Sequence, residues 1–492
     1  MEASGSRRPA YYAPVPSYSF GDFQVDAAAH RLTHGGSLVS ISERHLGVLL
    51  ELLAQAESIV SKNALIEAVW QDVAVTDNSL EQAVSALRRT LGDGPDGQPY
   101  IQTVPRQGYR FRGTVTRVAS RASDAALDEL LAPHRAWIEG RAALETLERD
   151  QIVHARGVFE RVLSGAPDQA SAHVGLANAC AMQFEMTRAD QSPDVEALAA
   201  AAHHAREACR LDPVYGEAWA TLGFVLDRTG DRINALAASR RAVTLEPDNW
   251  RHHIRLAYAS WGEERLRAAH RTLALLPGFP LAHWLAATVH VARSTLDDAE
   301  RELAAGIAVQ DAQATAPTRF SAVALHWVSG LIHLARGDED RALAAFEREL
   351  SFEAGGQLYA REVCAHTWYA IGALRLRQAR IAEARVAFAN ALERVARHPL
   401  ARIAHVVLGG DVVTVPAPAT GGPNTVDEAI CRAVQLVFSG THTDAARLVD
   451  DALANAPPGN AGWLLPVEPL LRVTANPGVW AQALTRLRTR AA

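Results

Sequence analysis

Residues 18–40 of the chain contain short segments that alternate between apolar and polar positions with the period of a β-strand. Short alternating segments are separated by Gly21-Asp22 and Gly35-Gly36, a spacing that predicts a small antiparallel sheet with tight turns. These segments are Tyr18–Phe20, Phe23–Val25, Arg31–Thr33 and Leu38–Ser40. After Ser42, which is suited to cap a helix, the apolar period becomes helical and predicts a first helix. Its apolar stripe consists of Leu46, Leu49, Leu50 and Leu53.

Two further helices follow the first. The second is predicted from Ser61 to Trp70, and the third lies beyond a loop over Gln71–Thr76. The third helix ends at Gly92, because glycine commonly follows the last helical turn. Its apolar stripe consists of Leu80, Val84, Leu87 and Leu91.

A β-hairpin completes this part of the chain. It is predicted over Tyr100–Phe111, with its turn near Pro105–Gly108. A sheet, three helices and a hairpin, in this order, predict a small α+β winged-helix domain over residues 18–118. A disordered arm over residues 1–17 is expected to precede it, because that stretch is rich in proline, alanine and tyrosine.

The rest of the chain is rich in alanine and repeats itself with a period of 34 residues, after a linker over residues 119–131. The clearest copy reads Ala-Trp-x-x-Leu-Gly from Ala218 and ends at Pro247, which is the pattern of a tetratricopeptide repeat. Two further clear copies begin at His326 and Trp368. Residues 132–492 are therefore predicted to form an α-solenoid, interrupted by a loop near 410–424, and the protein as a whole is mostly α-helical.

The predicted third helix and hairpin carry a family resemblance. Asp77–Asp93 and Ile101–Phe111 resemble the OmpR/PhoB-type effector domain, and Val60-Ser61 and Ala68–Trp70 match it too. Response-regulator members often have arginine directly after Thr-Val in the wing, whereas this chain has Pro105 there. In this respect the chain is more similar to the ToxR/CadC/HilA-like branch.

The resemblance implies a bacterial transcription regulator whose winged helix binds double-stranded promoter DNA. It also implies that the loop Trp70–Thr76 contacts RNA polymerase. Only 17 residues precede the winged helix, so we expect a phosphorelay-like regulator without a receiver domain, whose input is not aspartyl phosphorylation. A homodimer on DNA is compatible with this interpretation.

One face of the third helix and the adjoining wing supply the candidate DNA contacts. Side chains opposite the apolar stripe would face a major groove, where amide and guanidinium groups can pair with base edges. The candidates are Asn78, Gln82, Ser85, Arg88 and Arg89 on the helix, and Thr103, Arg106, Gln107, Arg110 and Arg112 on the wing. An ordinary solvated helix face is the alternative, and Asn78 with Glu81 could instead cap the helix.

The repeat array supplies the candidate partner-binding residues. In a stacked array, positions on the groove-facing side of each first helix are open to a protein or peptide partner, or to a small ligand. By repeat register these positions are Phe224, Asp227, Trp327, Leu331, His366 and Tyr369. Packing against a neighbouring repeat is the alternative for each of them.

Composition and motifs narrow the class of protein. The net charge is −6, yet residues 88–117 contain six arginines and two acids, so the basic character is local to the helix and wing. The four cysteines are far apart, the N-terminus lacks an apolar signal segment, and no apolar stretch could span a membrane, which favours the cytoplasm. Metal-binding, phosphate-binding and nucleophile motifs are absent, so we expect no metal, no cofactor and no enzymatic activity.

These observations predict a sequence-specific DNA-binding transcription regulator. Its winged helix reads promoter DNA, and its tetratricopeptide array senses a partner or ligand. The alternative is a repeat scaffold or sensor that acts mainly through protein–protein binding and has weak affinity for DNA.

Overall fold

The computed structural model describes residues 17–27, 30–70, 77–94, 97–118, 135–144, 148–313, 322–355, 357–409 and 425–492. The chain divides into two compact units, Met1–Ile138 and Glu139–Ala492. Several predicted segments lie outside the described residues: the arm over 1–16, the loop over 71–76, the linker over 119–131 and the interruption at 410–424.

The first unit contains two antiparallel sheets. In the larger sheet the strand order is β4-β3-β2-β1-β8, and in the smaller it is β5-β7-β6. The strands are β1 (Ser17–Phe20), β2 (Phe23–Asp26), β3 (Arg31–His34), β4 (Ser37–Val39), β5 (Ile59–Val60), β6 (Ile101–Val104), β7 (Gly108–Phe111) and β8 (Thr116–Val118). The predicted leading sheet and hairpin are confirmed, whereas β5 and β8 were not predicted.

Three helices pack against these sheets. They are α1 (Glu43–Ala54), α2 (Lys62–Trp70) and α3 (Asp77–Leu91). Ser42 caps α1 as predicted, since its hydroxyl accepts a hydrogen bond from the His45 N–H at 3.3 Å. The aromatic rings of Phe20 and Phe111 meet edge to face, with centroids 4.8 Å apart, in the core between sheets and helices.

The second unit is an array of helices. Residues 135–144 form a helix, α4, at the boundary between the units. The helices that follow are α5 (Arg149–Gly165), α6 (Ala170–Thr187), α7 (Val195–Leu211), α8 (Gly216–Arg228), α9 (Arg232–Leu245), α10 (Trp250–Ala259), α11 (Glu263–Leu275), α12 (Pro280–Ala292), α13 (Leu296–Ala312), α14 (Leu325–Arg336), α15 (Glu339–Leu350), α16 (Ala360–Arg377), α17 (Ile381–Arg394), α18 (Pro399–Val407), α19 (Val426–Phe438), α20 (His442–Asn455) and α21 (Pro477–Arg490). From α6 to α17 the two helices of each pair pack on each other, and the second helix of a pair packs on the first helix of the next.

The turn inside a repeat follows from its Gly-Asp dipeptide. Gly337 ends α14 at φ +83°, a left-handed conformation that glycine adopts without a steric penalty. Asp338 then caps α15, because its carboxylate accepts a hydrogen bond from the Arg341 N–H at 3.2 Å. Gly230 and Asp231 do the same between α8 and α9. The predicted pairs α8/α9, α14/α15 and α16/α17 are confirmed.

A glycine and a phenylalanine fix how closely the two helices of a pair approach. Gly330 on α14 faces the ring of Phe346 on α15 so closely that a β-carbon would lie 2.4 Å from the ring. Gly372 and Phe388 repeat this contact in the next pair, with 2.6 Å. Gly330 and Gly372 are therefore the sites where the first helix of each pair makes room for an aromatic ring of the second.

Across the described ranges, no helix combines the length and apolar character needed to cross a membrane.

Candidate DNA-binding surface and repeat groove

The third helix presents its polar face to solvent because its apolar stripe is buried. Leu80, Val84 and Leu87 are at most 1% exposed and lie in the core of the first unit. On the opposite side, Gln82, Ser85 and Arg89 are exposed. The side chain of Asn78 lies outside the part of the chain that the structure describes.

Arg88 connects this helix to the wing. Its Nε donates to the carbonyl oxygen of Ile101 at 2.8 Å, and its Nη2 donates to Thr103 Oγ1 at 2.7 Å. Two of the predicted DNA contacts therefore bind each other and hold α3 against β6. Sequence spacing could not reveal this hydrogen-bonded pair, because it joins side chains from separate elements. A DNA contact by either residue stays a prediction.

The wing carries the other candidate residues at its tip and along one face. Arg106 and Gln107 are exposed in the turn between β6 and β7. Side chains alternate along β7, so that Tyr109 and Phe111 are buried whereas Arg110 is partly exposed, as is Arg112 directly after the strand. The helix and wing residues thus lie on elements that share the same core.

Charge on this surface is predominantly positive. Glu81, the acid that follows Leu80 on α3, is paired with Lys62 of α2 at 2.7 Å. Arg89 forms no ion pair with any residue that the structure describes. An exposed guanidinium without a carboxylate partner is available to a phosphate or to a guanine edge.

In the array, two candidate groove residues belong to an ion-pair network. Asp227 is 2.9 Å from the Arg228 guanidinium, which also contacts the buried carboxylate of Glu185 at 2.7 Å. The Phe224 ring lies under two guanidinium groups, Arg228 at 4.9 Å and Arg255 at 5.6 Å. Phe224 and Asp227 are therefore half-buried among charged neighbours.

The remaining candidates are covered by the chain itself. Residues 456–476, here called the C-terminal loop, cross the groove face of α12, α14 and α16. Trp327, Leu331 and Tyr369 are 7%, 2% and 4% exposed. Their role in partner binding stays a prediction, and it requires that the C-terminal loop dissociate from the groove face.

His366, the sixth candidate, is held on both sides. Its ring stacks on Trp327 with centroids 5.2 Å apart, and its Nδ1 lies 2.9 Å from Nε2 of His398. Burial lowers the pKa of His366 to about 4. The imidazole is thus neutral near pH 7 and contributes packing and a hydrogen bond rather than charge.

Sequence reasoning missed the residues through which the C-terminal loop contacts the array. Glu468 of the loop accepts a hydrogen bond from the Tyr369 hydroxyl at 2.6 Å and another from the Leu470 N–H at 3.0 Å. Arg377 and Cys431 also face this carboxyl group. Burial outweighs these contacts and raises the pKa of Glu468 to about 7.

One sequence signal could have indicated that this loop is buried. The run Trp463–Val467 is too apolar for a solvated tail.

Stability of the loop is expected to fall as pH rises through neutrality. A carboxyl group whose pKa is raised by folding stabilises the folded form below its ordinary pKa, and this contribution is lost as pH rises through about 7. Deprotonation of Glu468 should lower the stability of the docked loop by at most about 3 kcal/mol. Amide hydrogen exchange of the loop should be slower at pH 5 than at pH 8.5 after correction for the intrinsic rate.

The matched control for this pH effect is Glu468→Gln, which should show the same corrected protection at both pH values. The neighbouring His366 and His398 have pKa values lowered by burial and do not titrate in that window. Equal pH dependence in the native chain and in Glu468→Gln would contradict the assignment to Glu468.

Comparisons with known proteins bear on the first unit. Residues 36–111 match the family described as "Transcriptional regulatory protein, C terminal". Transcriptional regulator HilA of Salmonella typhimurium is 36% identical over 113 residues, which are 22% of this chain and 20% of that protein. Transcriptional activator CadC of Escherichia coli is 28% identical over 97 residues, 20% of this chain and 19% of that protein. The chain therefore spans about a fifth of the length of these relatives.

A solved structure of the DNA-binding domain of Klebsiella pneumoniae RstA, in complex with the RstA box, is also similar. It is 32% identical, with a TM-score of 0.18, and the match covers 19% of this chain and 95% of that one.

Proposed function

Because the first unit is an OmpR/PhoB-type winged-helix domain and the second is a tetratricopeptide-like array, we propose that the protein is a sequence-specific DNA-binding regulator of transcription. In this proposal α3 enters the major groove of promoter DNA, the wing contacts the adjacent backbone, and the array receives a protein partner or ligand. The protein acts in the cytoplasm and catalyses no reaction.

One observation carries this proposal. The face of α3 opposite the core holds Gln82, Ser85 and Arg89, all exposed, and Arg89 has no carboxylate partner among the described residues. These residue types read base edges, and a recognition helix exposes its polar face in this way before DNA binds. The surface is also fixed against the wing by Arg88, so it is preorganised for a groove.

Two further parts of the proposal follow from the family. The loop Trp70–Thr76 would contact RNA polymerase, although its residues beyond Trp70 lie outside the described part of the chain. A homodimer on DNA would place two copies of α3 on successive half-sites of a promoter.

Replacing Arg89 by alanine tests whether this residue reads bases. With a duplex selected from a randomised pool, we expect the full chain to lose about 1–3 kcal/mol of binding free energy and much of its preference over random DNA. Arg112→Ala should instead weaken binding to selected and random duplexes about equally, because a phosphate contact carries no sequence information. Fluorescence anisotropy titrations measure both.

Arg31→Ala is the control, because Arg31 is exposed on β3 and belongs to neither helix nor wing. It should change both affinities little. If Arg89→Ala lowers specific and random binding to the same extent, the assignment of Arg89 to base reading is wrong.

A further inference from the structure

We propose that the groove face of α12, α14 and α16 is a peptide-binding surface that the C-terminal loop occupies in the isolated chain. We further propose that its partner is a protein segment presenting an aromatic residue followed by a carboxyl group, as Trp463 and Glu468 do. This rests on the proposed function in one respect, that the array receives a protein partner.

The aromatic part of the loop is inserted between side chains of two neighbouring repeats. Trp463 meets Trp284 of α12 edge to face, with ring centroids 6.2 Å apart, and Trp327 of α14 at 6.5 Å. Val467 is 2% exposed and belongs to the same apolar cluster as Trp327. Groove residues of two repeats therefore form one apolar site for an aromatic ring and a short aliphatic side chain.

The polar part of the loop is held by the next repeat. Glu468 is buried, with the Tyr369 hydroxyl as its side-chain hydrogen-bond donor. Arg377 donates to the carbonyl oxygen of Pro469 at 3.2 Å and to that of Leu334 at 2.7 Å. The Tyr369 hydroxyl and the Arg377 guanidinium thus lie on α16, beside the apolar site formed by α12 and α14. Together they form a surface that favours a segment in which an aromatic residue precedes a carboxyl group.

The loop does not use every donor of this surface. Within the described part of the chain, the buried indole N–H groups of Trp284 and Trp327 and the Nε of Arg377 have no hydrogen-bond acceptor. Each buried donor without an acceptor costs free energy, which a better-matched occupant would recover. The covered surface thus retains donors that the loop leaves without acceptors, and a partner supplying acceptors would bind it better.

The glycine–phenylalanine contacts that join the two helices of each pair do not involve the loop. The aromatic rings that join the helices of each pair, Phe346 and Phe388, are fully buried against glycines inside their own pairs. Displacement of the loop would therefore expose the groove while leaving these Gly–Phe contacts in place. Because the loop is part of the same chain, its high effective concentration favours it over a free peptide until a stronger partner arrives.

The test measures binding of a fluorescently labelled synthetic peptide with the sequence of residues 460–471 to the full chain. In the native protein the tethered loop should exclude the peptide. In Trp463→Ala/Glu468→Ala the loop loses the two side chains that contact the groove. We expect this variant to bind the peptide at least tenfold more tightly than the native protein does. Adding Tyr369→Phe to that variant should reduce this affinity about tenfold. Arg472→Lys, which keeps the positive charge at an exposed position of the same loop, is the control and should behave like the native chain.

If the double variant does not keep the native circular dichroism, Trp463→Ala alone takes its place. Equal peptide affinity for native and anchor-deficient chains would overturn the proposal, as would equal binding of a peptide in which alanine replaces the tryptophan and the glutamate. No DNA is present in this measurement, so its failure leaves the proposed regulation of transcription untouched. Conversely, failure of the full chain to bind DNA would not affect the peptide result.

Discussion

Replacing Gly108 by alanine is expected to separate the wing from β5 and to abolish specific DNA binding. Gly108 has φ +144°, and a β-carbon there would lie 2.0 Å from the carbonyl oxygen of Val60 and 2.9 Å from the Cα of Ser61. Both contacts are backbone atoms, so no side-chain rotation relieves them. Together, the strained conformation and the overlap should cost about 3 kcal/mol or more. Pairing of β5 with β7 would be lost first, because Val60 is opposite Tyr109 in that ladder.

Hydrogen exchange of the β5 and β7 amides measures the structural effect, and anisotropy with the selected duplex measures the functional one. The control is Gly36→Ala, because Gly36 also has a positive φ, +82°, but a β-carbon added there would meet no atom within 4 Å. We expect it to cost about 1 kcal/mol and to leave the wing in place. Unchanged protection of β5 and β7 in Gly108→Ala would contradict the steric argument.

Replacing Phe346 by alanine is expected to destabilise the array by about 3–5 kcal/mol. The side chain is fully buried and its ring lies against Gly330 of α14, so that its removal leaves a cavity between the two helices. Because repeats are stabilised only by their neighbours, a cavity in α14/α15 should also loosen its contacts with α16. Denaturant unfolding followed by tryptophan fluorescence reports on this unit, which contains most of the tryptophans.

Val386→Ala is the matched control, since Val386 is 62% exposed on α17. Its effect should be within about 0.5 kcal/mol, as for other exposed positions. A loss at Phe346 no larger than that at Val386 would mean that the Gly–Phe contact does not hold the helix pair together.

Sequence patterns predicted those helices and strands that are determined by interactions between residues near each other in the chain. The stripe Leu80, Val84 and Leu87 required one buried face for α3 and thereby exposed Gln82 and Arg89. Likewise, Ser42 marked the start of α1, where its hydroxyl accepts a hydrogen bond from the N–H of His45 three residues further on. Each of these signals arises from residues close together in the chain.

The sequence did not predict features that depend on distant residues. The two-residue strand β5 is too short for any period, and it exists because β7 offers a partner. The hydrogen bonds of Arg88 depend on how the wing folds back on α3. The C-terminal loop that buries Tyr369 does so through Glu468, which lies 99 residues further along the chain. Such contacts depend on tertiary folding, which periodicity does not encode.

The most direct test of the central claim is the affinity of the full chain for a selected duplex and for a scrambled duplex of equal length, across a range of salt concentrations. We predict that both affinities fall as salt rises, because each phosphate contact releases counterions, and that the selected duplex binds on the order of 10³-fold more tightly or better. Equal affinity for the two duplexes, or binding that does not depend on salt, would contradict the account of this protein as a sequence-specific DNA-binding regulator.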